Sequence, residues 1–347
     1  MRRSRRVRRL PRRALAAVVG ALALLALTVL LPGASARFTS VTGNPAGAWA
    51  TDGVAPPTGL TVVQTCTRTP IAFRGAAAST SQSPLALSPP AQTQPGDVLV
   101  AQVAYYGTST ISAPGDWTLL SADTSGTSVT SAVFHKVATG SEAPAVFSRP
   151  PSSPGDMVGG IVAYGGVDPS SPVAVTGRTT GTGETVNLPT VTTTVKDTVL
   201  VYFLAKSGGL LPTPGALQER WRLSSDSEGA TAADESFVGP GTTPSRSSST
   251  PGSATEYVAH TIALRPTAPQ VGASLSWTAS PSTWATGYRL ERSTAGTAQA
   301  PRSITPVGTT STTEGPLVNG TAYSFRLWAY RGTWTSTVAT APLTPAC

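Results

Sequence analysis

Short runs in which apolar and polar residues alternate recur along most of the chain after its first 57 residues. Alternation with a period of two predicts β-strands that have one buried face, and the Pro, Gly and Ser clusters between the runs predict turns. Tyr288 and Leu290, for example, alternate with Arg289 and Glu291. The pattern therefore predicts an all-β protein built from many short strands.

The segment 70–266 contains a weak internal repeat. Asp97-Val-Leu-Val is similar to Asp197-Thr-Val-Leu-Val, and Trp117 aligns with Trp221. Each half predicts about four strands separated by turns. We expect the two halves to pack as one jelly-roll-like antiparallel β-sandwich. This pattern is similar to that of β-sandwich modules in bacterial surface proteins.

Several residues of the C-terminal part, 267–347, occur in a characteristic order. Trp277 lies in one alternating run, and the motif Leu317-x-Asn-Gly-Thr-x-Tyr323 precedes a later, longer run. This order resembles a fibronectin type III domain, with a core tryptophan on its second strand and a corner tyrosine before its sixth. The resemblance implies one set of inward-pointing side chains and one set of outward-pointing ones, namely Tyr323, Phe325, Leu327 and Ala329 inward, and Arg326 and Trp328 outward.

The first strand of such a domain is missing directly before Ala273, where the sequence is short and proline-rich. The family's usual opening, Pro-Pro-x-Gly-Leu-x-Val, stands instead at 56–62. We therefore predict that residues 58–69 carry the first strand of the domain and that 267–347 form its remainder. The segment 70–266 is then a second domain inserted between two strands of the first, which is tolerated when the ends of the insert lie close together.

The chain has two cysteines, Cys66 at the end of the predicted first strand and Cys347 at the C-terminus. The resemblance implies a disulfide between them, because the first and last strands of this sandwich can lie at neighbouring edges. Two cysteines in an exported protein also favour a disulfide over a metal site. Two free thiols, or a pairing between molecules, are the alternatives.

The formal net charge of +8 belongs to the N-terminus, because residues 1–36 contain eight arginines and no acid. The remainder has no net charge and therefore lacks the basic footprint of a nucleic-acid-binding protein. An apolar run and Ala34-Ser35-Ala36 complete the pattern of a signal-peptide helix that is cleaved after residue 36. An uncleaved membrane anchor is the alternative. Either form predicts a secreted or cell-surface protein.

Residues 37–57 form an N-terminal segment in which Phe38, Thr39, Asn44 and Pro45 resemble the mature start of camelysin- and TasA-type exported proteins. The resemblance implies polymerisation by pairing with the sheet edge of a neighbouring molecule. A flexible polar segment is the alternative. The skew toward Ala, Arg, Pro and Thr, with few lysines, fits a high-GC bacterium such as an actinobacterium.

Candidate catalytic chemistry is sparse. His135 and His260 lie inside predicted strands, and no nucleophile elbow, zinc motif or phosphate-binding loop occurs. We therefore predict no enzyme activity, no catalytic residue, no metal and no cofactor. The acids of the 226–235 segment, Asp226, Glu228, Asp234 and Glu235, are expected to face solvent, with a calcium site or a glycosidase pair as alternatives.

Exposed aromatic rings are the best candidates for ligand binding or interface formation. The candidates are Tyr105, Tyr106, Trp284, Trp328 and Trp334, and one of the two adjacent tyrosines must point away from the core. We expect a non-catalytic protein that acts in adhesion or in matrix or appendage assembly, with a protein or a cell-wall or matrix component as partner. A carbohydrate-binding or glycan-active protein, with a polysaccharide as partner, is the alternative.

Overall fold

The computed structural model describes residues 53–150 and 156–347. Within these residues the regular secondary structure is β-strand throughout and contains no helix, so the all-β prediction is confirmed. The predicted leader at 1–36, and the part of the N-terminal segment up to residue 52, lie outside the described residues.

The first half of the central segment forms one five-stranded antiparallel sheet and one two-stranded ribbon. After β1 (Thr58–Thr67) the chain continues through β2 (Ala72–Gln82), β3 (Leu85–Leu87), β4 (Val98–Tyr105), β5 (Thr118–Ser125), β6 (Val129–Val137), β7 (Ala145–Phe147) and β8 (Asp156–Gly165). The sheet has the order β2-β8-β4-β6-β5, and β3 pairs with β7 in the ribbon.

The second half repeats this topology. Its strands are β9 (Val173–Gly183), β10 (Thr185–Asn187), β11 (Thr192–Thr193), β12 (Thr198–Ser207), β13 (Gln218–Ser224), β14 (Glu228–Phe237), β15 (Gly241–Thr242), β16 (Ser247–Ser249) and β17 (Thr255–Leu264). The sheet order β9-β17-β12-β14-β13 matches that of the first half strand for strand, and β10 pairs with β16 and β11 with β15. Each half therefore supplies one complete sheet of the sandwich.

The predicted alignment of Trp117 with Trp221 is wrong. Equivalent turns place Trp117 and Leu217 in the same position, because each N–H donates to the carbonyl of the proline three residues earlier. Trp221 instead corresponds to Ser121, since each is the first residue after the bulge in its edge strand. A single tryptophan was too weak a marker to set the register of the repeat.

The two five-stranded sheets pack face to face through a continuous apolar core of Val, Ile, Leu, Ala and aromatic side chains from both halves. Trp221 of β13 crosses this interface and lies against Gly160 of β8. A Cβ atom at position 160 would lie 2.5 Å from the Trp221 ring, so only glycine leaves room for the ring. The two halves thus bury each other's inner faces.

The outer faces of both sheets are covered along their central strands. β4 and β12 are buried along their whole length, although period-two alternation predicts one exposed face. The β3–β7 ribbon places Leu85 and Phe147 over the first sheet, and the β10–β16 ribbon places Val186 over the second. The burial of both faces explains why these strands read as nearly continuous apolar runs.

The edges of the two sheets meet in pairs, β5 beside β9 and β2 beside β13. At the first pair, Ser125 Oγ donates a hydrogen bond to the Gly181 carbonyl at 3.0 Å, and Arg178 donates to the Ala122 carbonyl at 2.8 Å. Edge strands that are covered in this way are poor templates for pairing with another chain.

The C-terminal part forms a second sandwich. Its strands are β18 (Gln270–Thr278), β19 (Gly287–Thr294), β20 (Thr297–Ala298), β21 (Arg302–Ile304), β22 (Ser311–Leu317), β23 (Tyr323–Arg331), β24 (Trp334–Thr335) and β25 (Ala339–Leu343). One sheet has the order β1-β18-β22, and the other has β20-β19-β23-β24 with β21 on β19 and β25 on β23. The predicted fibronectin type III-like sandwich is confirmed.

The core of this sandwich contains the residues that carried the resemblance. The Trp277 and Tyr288 rings lie edge to face with centroids 5.4 Å apart. The Tyr323 hydroxyl accepts a hydrogen bond from the Val318 N–H at 2.9 Å, which is the contact of a corner tyrosine. All four residues predicted to point inward from β23 are buried, namely Tyr323, Phe325, Leu327 and Ala329.

β1 joins this sandwich although 202 residues, 68–269, separate it in sequence from β18. The two strands pair antiparallel, with Thr67 opposite Gln270 at the point where the chain departs for and returns from the central segment. A disulfide bonds Cys66 to Cys347, with their Cα atoms 5.7 Å apart. The Ala346 N–H also donates to Gln64 Oε1 at 2.9 Å, so the C-terminal tail lies along β1.

Candidate functional site

The structure separates the two adjacent tyrosines of the candidate set. Tyr105 is fully buried, its hydroxyl donates to the Ser109 carbonyl, and the Arg149 guanidinium lies 5.0 Å from its ring centroid. Tyr106 is 48% exposed. Tyr105 is therefore a core residue that cannot contact an external ligand. Its neighbour Tyr106 is the one of the two that points toward solvent.

Two of the candidate tryptophans meet at one end of the C-terminal sandwich. The rings of Trp284 and Trp334 are 6.3 Å apart and nearly perpendicular, at 87°. Trp334 follows the turn between β23 and β24 and is 63% exposed, whereas Trp284 is half-buried against the core. Arg331 donates to the Trp284 carbonyl at 3.1 Å and places its guanidinium 5.7 Å from that ring centroid.

A second group of aromatic and arginine side chains lies on the outward face of β19 and β23. Arg289 is the register partner of Trp328, and its guanidinium lies 4.6 Å from the Tyr330 ring centroid. Consecutive residues of a strand point to opposite faces, so Tyr330 and Arg331 project from opposite faces of β23 and the two groups are separate. The register partner of Arg331 is Trp334. We call Trp284, Arg331 and Trp334 the aromatic–arginine surface.

The charge of the aromatic–arginine surface is positive. Among the described residues, Arg331 takes part in no ion pair, whereas Arg326 of the same strand binds Glu291 at 2.7 Å. Trp, Tyr and Arg are the residue types that dominate binding energy at protein interfaces. The perpendicular arrangement of Trp284 and Trp334 does not form the flat double platform on which a sugar chain stacks.

The acids of the 226–235 segment do not converge on one site. Asp234 receives two hydrogen bonds from Arg220, at 2.7 and 2.8 Å, and one from the Tyr164 hydroxyl. Glu235 binds Arg246 at 2.6 Å. The expectation that the whole group faces solvent is wrong, because Asp234 and Glu228 lie in β14 between the two sheets and are buried.

Glu228 is the acid with the most perturbed environment. Burial raises the pKa of its carboxyl group to about 7. The hydrogen bond from Ser225 lowers this pKa, whereas the negative charge of Asp156 raises it further. Ser225 Oγ donates to Glu228 Oε2 at 3.0 Å, while Oε1 has no hydrogen-bond partner among the described residues. This carboxyl group therefore destabilises the fold when it is ionised.

Replacing Glu228 by its neutral amide tests how much the ionised carboxyl group destabilises the fold. Glu228→Gln is expected to raise the free energy of unfolding by up to about 3 kcal/mol at pH 8 and to change it little at pH 4. The folded-state pKa, about 7, lies above the ordinary value of 4.5. The stability that the protonated carboxyl contributes is therefore fully present below pH 4.5 and is lost as the pH rises through 7.

Urea unfolding of both forms at the two pH values measures this difference. Glu219→Gln is the matched control, because Glu219 lies on the adjacent strand and its side chain is 41% exposed. The control is expected to show no comparable dependence on pH. A gain of equal size at pH 4 and pH 8 would mean that ionisation of Glu228 is not the cause.

The structure brings together one serine and one histidine that no sequence motif connects. Ser121 Oγ lies 2.9 Å from His260 Nδ1, and both residues are buried between the sheets. Burial lowers the pKa of His260 to about 3, so its imidazole is neutral. Hydrolysis needs the serine within reach of a substrate and an acid that orients the histidine. This pair is therefore a packing contact.

The described residues contain no cluster of three or more His, Cys, Asp or Glu side chains that is suited to a metal ion. They likewise include no helix with the length and apolar character needed to span a membrane. A groove of about 330 Å³ lies beside β5 and is lined mainly by hydroxyl and apolar side chains. Its one acid, Asp123, lies 3.5 Å from Arg178 in an ion pair.

No family model matches the chain, and no curated protein matches it. Among solved structures, it is similar to a two-domain fibronectin type III segment of chicken tenascin. That match has 16% identity and a TM-score of 0.19, and covers 50% of this chain and 99% of the other. A multidomain segment of titin matches with 13% identity and a TM-score of 0.18, covering 84% and 99%. Both TM-scores are low, and neither likeness carries a functional argument.

Proposed function

We propose that the protein is a non-catalytic binding protein that acts in adhesion or in matrix or appendage assembly, through its aromatic–arginine surface. The observation that carries this function is the exposure of Trp334, 63%, beside Arg331. A large apolar ring that remains exposed next to a cation outside any ion pair of the described residues is typical of an interface before its partner binds.

The partner that fits this surface best is a protein segment with acidic and apolar side chains. Arg331 supplies a positive charge close to the rings of Trp284 and Trp334, and an acidic group would complement it. Such a partner would be a protein of the matrix or the cell wall. The polysaccharide alternative would use the same exposed rings, so one experiment can separate the two.

A secreted or cell-surface location belongs to the same proposal. The leader pattern at 1–36 and the Cys66–Cys347 disulfide support it, because disulfides persist in oxidising compartments. The domain division is proposed in the same terms, with residues 58–69 and 267–347 forming one domain and 70–266 a domain inserted into it. Pairing of Thr67 with Gln270 at the junction supports that division.

Binding to immobilised matrix proteins and to insoluble polysaccharides tests the function. The double variant Arg331→Ala/Trp334→Ala is expected to weaken binding to protein about 30-fold, which corresponds to the loss of a single hot spot of roughly 2 kcal/mol. Tyr106→Ala, which removes another exposed aromatic ring from the central segment, is expected to leave binding unchanged. Retention on polysaccharide that the double variant abolishes would favour the carbohydrate-binding alternative.

A further inference from the structure

The backbone from Cys66 to Cys347 and the disulfide between these two residues form one closed covalent ring that contains nearly the whole fold. Cys66 is the residue before the end of β1, and the chain departs from β1 directly after it for the central segment. The bond to Cys347 closes a loop with a sequence separation of 281. Because the central segment begins just after Cys66, the ring encloses all of it together with β18 to β25.

We propose that the Cys66–Cys347 bridge shields the protein from mechanical extension. Tension between the chain ahead of β1 and the chain at Cys347 passes from Cys66 to Cys347 through the sulfur–sulfur bond. The strands from β2 to β25 lie within the ring, so they do not transmit that tension. The central sandwich and strands β18 to β25 therefore stay folded, and the aromatic–arginine surface keeps its shape, while the chain is pulled.

Among the strands of the described residues, β1 up to Cys66 is the one that lies outside the ring, and peeling it away releases little length. A β-strand already rises roughly 3.3 Å per residue, which is close to the limit of an extended chain. The tail is also aligned with β1 independently of the bridge. The Ala346 N–H donates to Gln64 Oε1 at 2.9 Å, and the Cys347 N–H donates to Asn319 Oδ1 at 2.9 Å. The bond thus joins two segments that the fold already holds side by side.

The consequence of breaking the bridge is large because the ring is large. Without it, the same tension reaches every residue between positions 66 and 347, a sequence separation of 281. Full extension of that segment adds roughly 900 to 1,000 Å of chain. The shielding does not depend on which partner the protein binds, although it suits a protein that stays attached under flow.

Single-molecule force spectroscopy on the full chain, with a handle at each end, tests the proposal. The oxidised protein is expected to lack any unfolding event of that length from the bridged part. Reducing the folded protein in place is expected to produce an added extension of about 900 to 1,000 Å in one or several steps. In-place reduction requires no variant to fold without the bridge.

The double variant Cys66→Ser/Cys347→Ser serves as the matched control. It is expected to extend by the same added length as the reduced protein, and adding reductant should not change its trace. Extension by this length in the oxidised wild-type protein would overturn the proposal. Two free thiols in the folded protein, detected by thiol titration, would also overturn it. Neither result would bear on whether the aromatic–arginine surface binds a partner.

Discussion

Removal of the Cys66–Cys347 bridge is expected to lower the free energy of unfolding by about 5 kcal/mol. The bridge closes a loop with a sequence separation of 281, and a cross-link over so long a loop removes much conformational freedom from the unfolded chain. The figure is an upper value, because residual structure in the unfolded chain reduces it. Few other single changes to the C-terminal sandwich should cost as much.

Urea unfolding without reductant measures this loss in Cys66→Ser, Cys347→Ser and the double variant. The three are expected to lose the same stability, because each removes the same bond and the second substitution removes nothing further. A double variant that loses far more than either single variant would indicate that the thiols contribute through packing. A loss below about 1 kcal/mol in all three would contradict the chain-entropy explanation.

Asp234→Ala is expected to destabilise the central sandwich by about 3 to 5 kcal/mol. The Asp234 carboxylate is buried and receives two hydrogen bonds from Arg220. It receives a third from the hydroxyl of Tyr164, which belongs to the opposite sheet. Alanine would leave the Arg220 guanidinium without its acid in the interface between the sheets. Breaking one member of a buried pair is costly because the remaining charge loses its compensation.

A second substitution separates that cost from a general effect on packing. Asp234→Ala/Arg220→Met removes both charges, so it is expected to recover a large part of the stability lost by Asp234→Ala alone. Glu219→Ala is the surface control: its carboxylate lies 3.5 Å from Arg222 in an exposed pair, which should contribute less than about 1 kcal/mol. Equal losses for the single and double variants would contradict this explanation.

The repeated topology of the central segment does not produce repeated contacts. Where the second half has Trp221 resting on Gly160, the equivalent contact of the first half is Ser121 with His260. One side of the interface therefore holds a large ring against a glycine, and the other a hydroxyl against an imidazole. Each contact is complementary in its own way, so the two equivalent positions of the interface are filled by different pairs of side chains.

A good deal of the architecture could be predicted because its signals are local. Period-two alternation indicated strands, and the resemblance of Trp277 and the Tyr323 motif to a fibronectin type III domain implied such a sandwich. The first strand, predicted within 58–69, spans Thr58–Thr67. Each signal is a pattern over a few residues whose backbone geometry repeats in every sandwich, so no knowledge of distant contacts was needed.

The sequence by itself determined that the chain is built of strands and which side chains of the C-terminal sandwich point inward. Only the tertiary structure decided that Tyr105 is buried, that Asp234 and Glu228 lie between sheets, and that Ser121 meets His260. Alternation reveals that a strand has two faces, but it does not say what covers each face. That is settled by contacts between segments far apart in sequence. The aromatic–arginine surface is an example, because Trp284 meets Arg331 and Trp334 only in the folded sandwich.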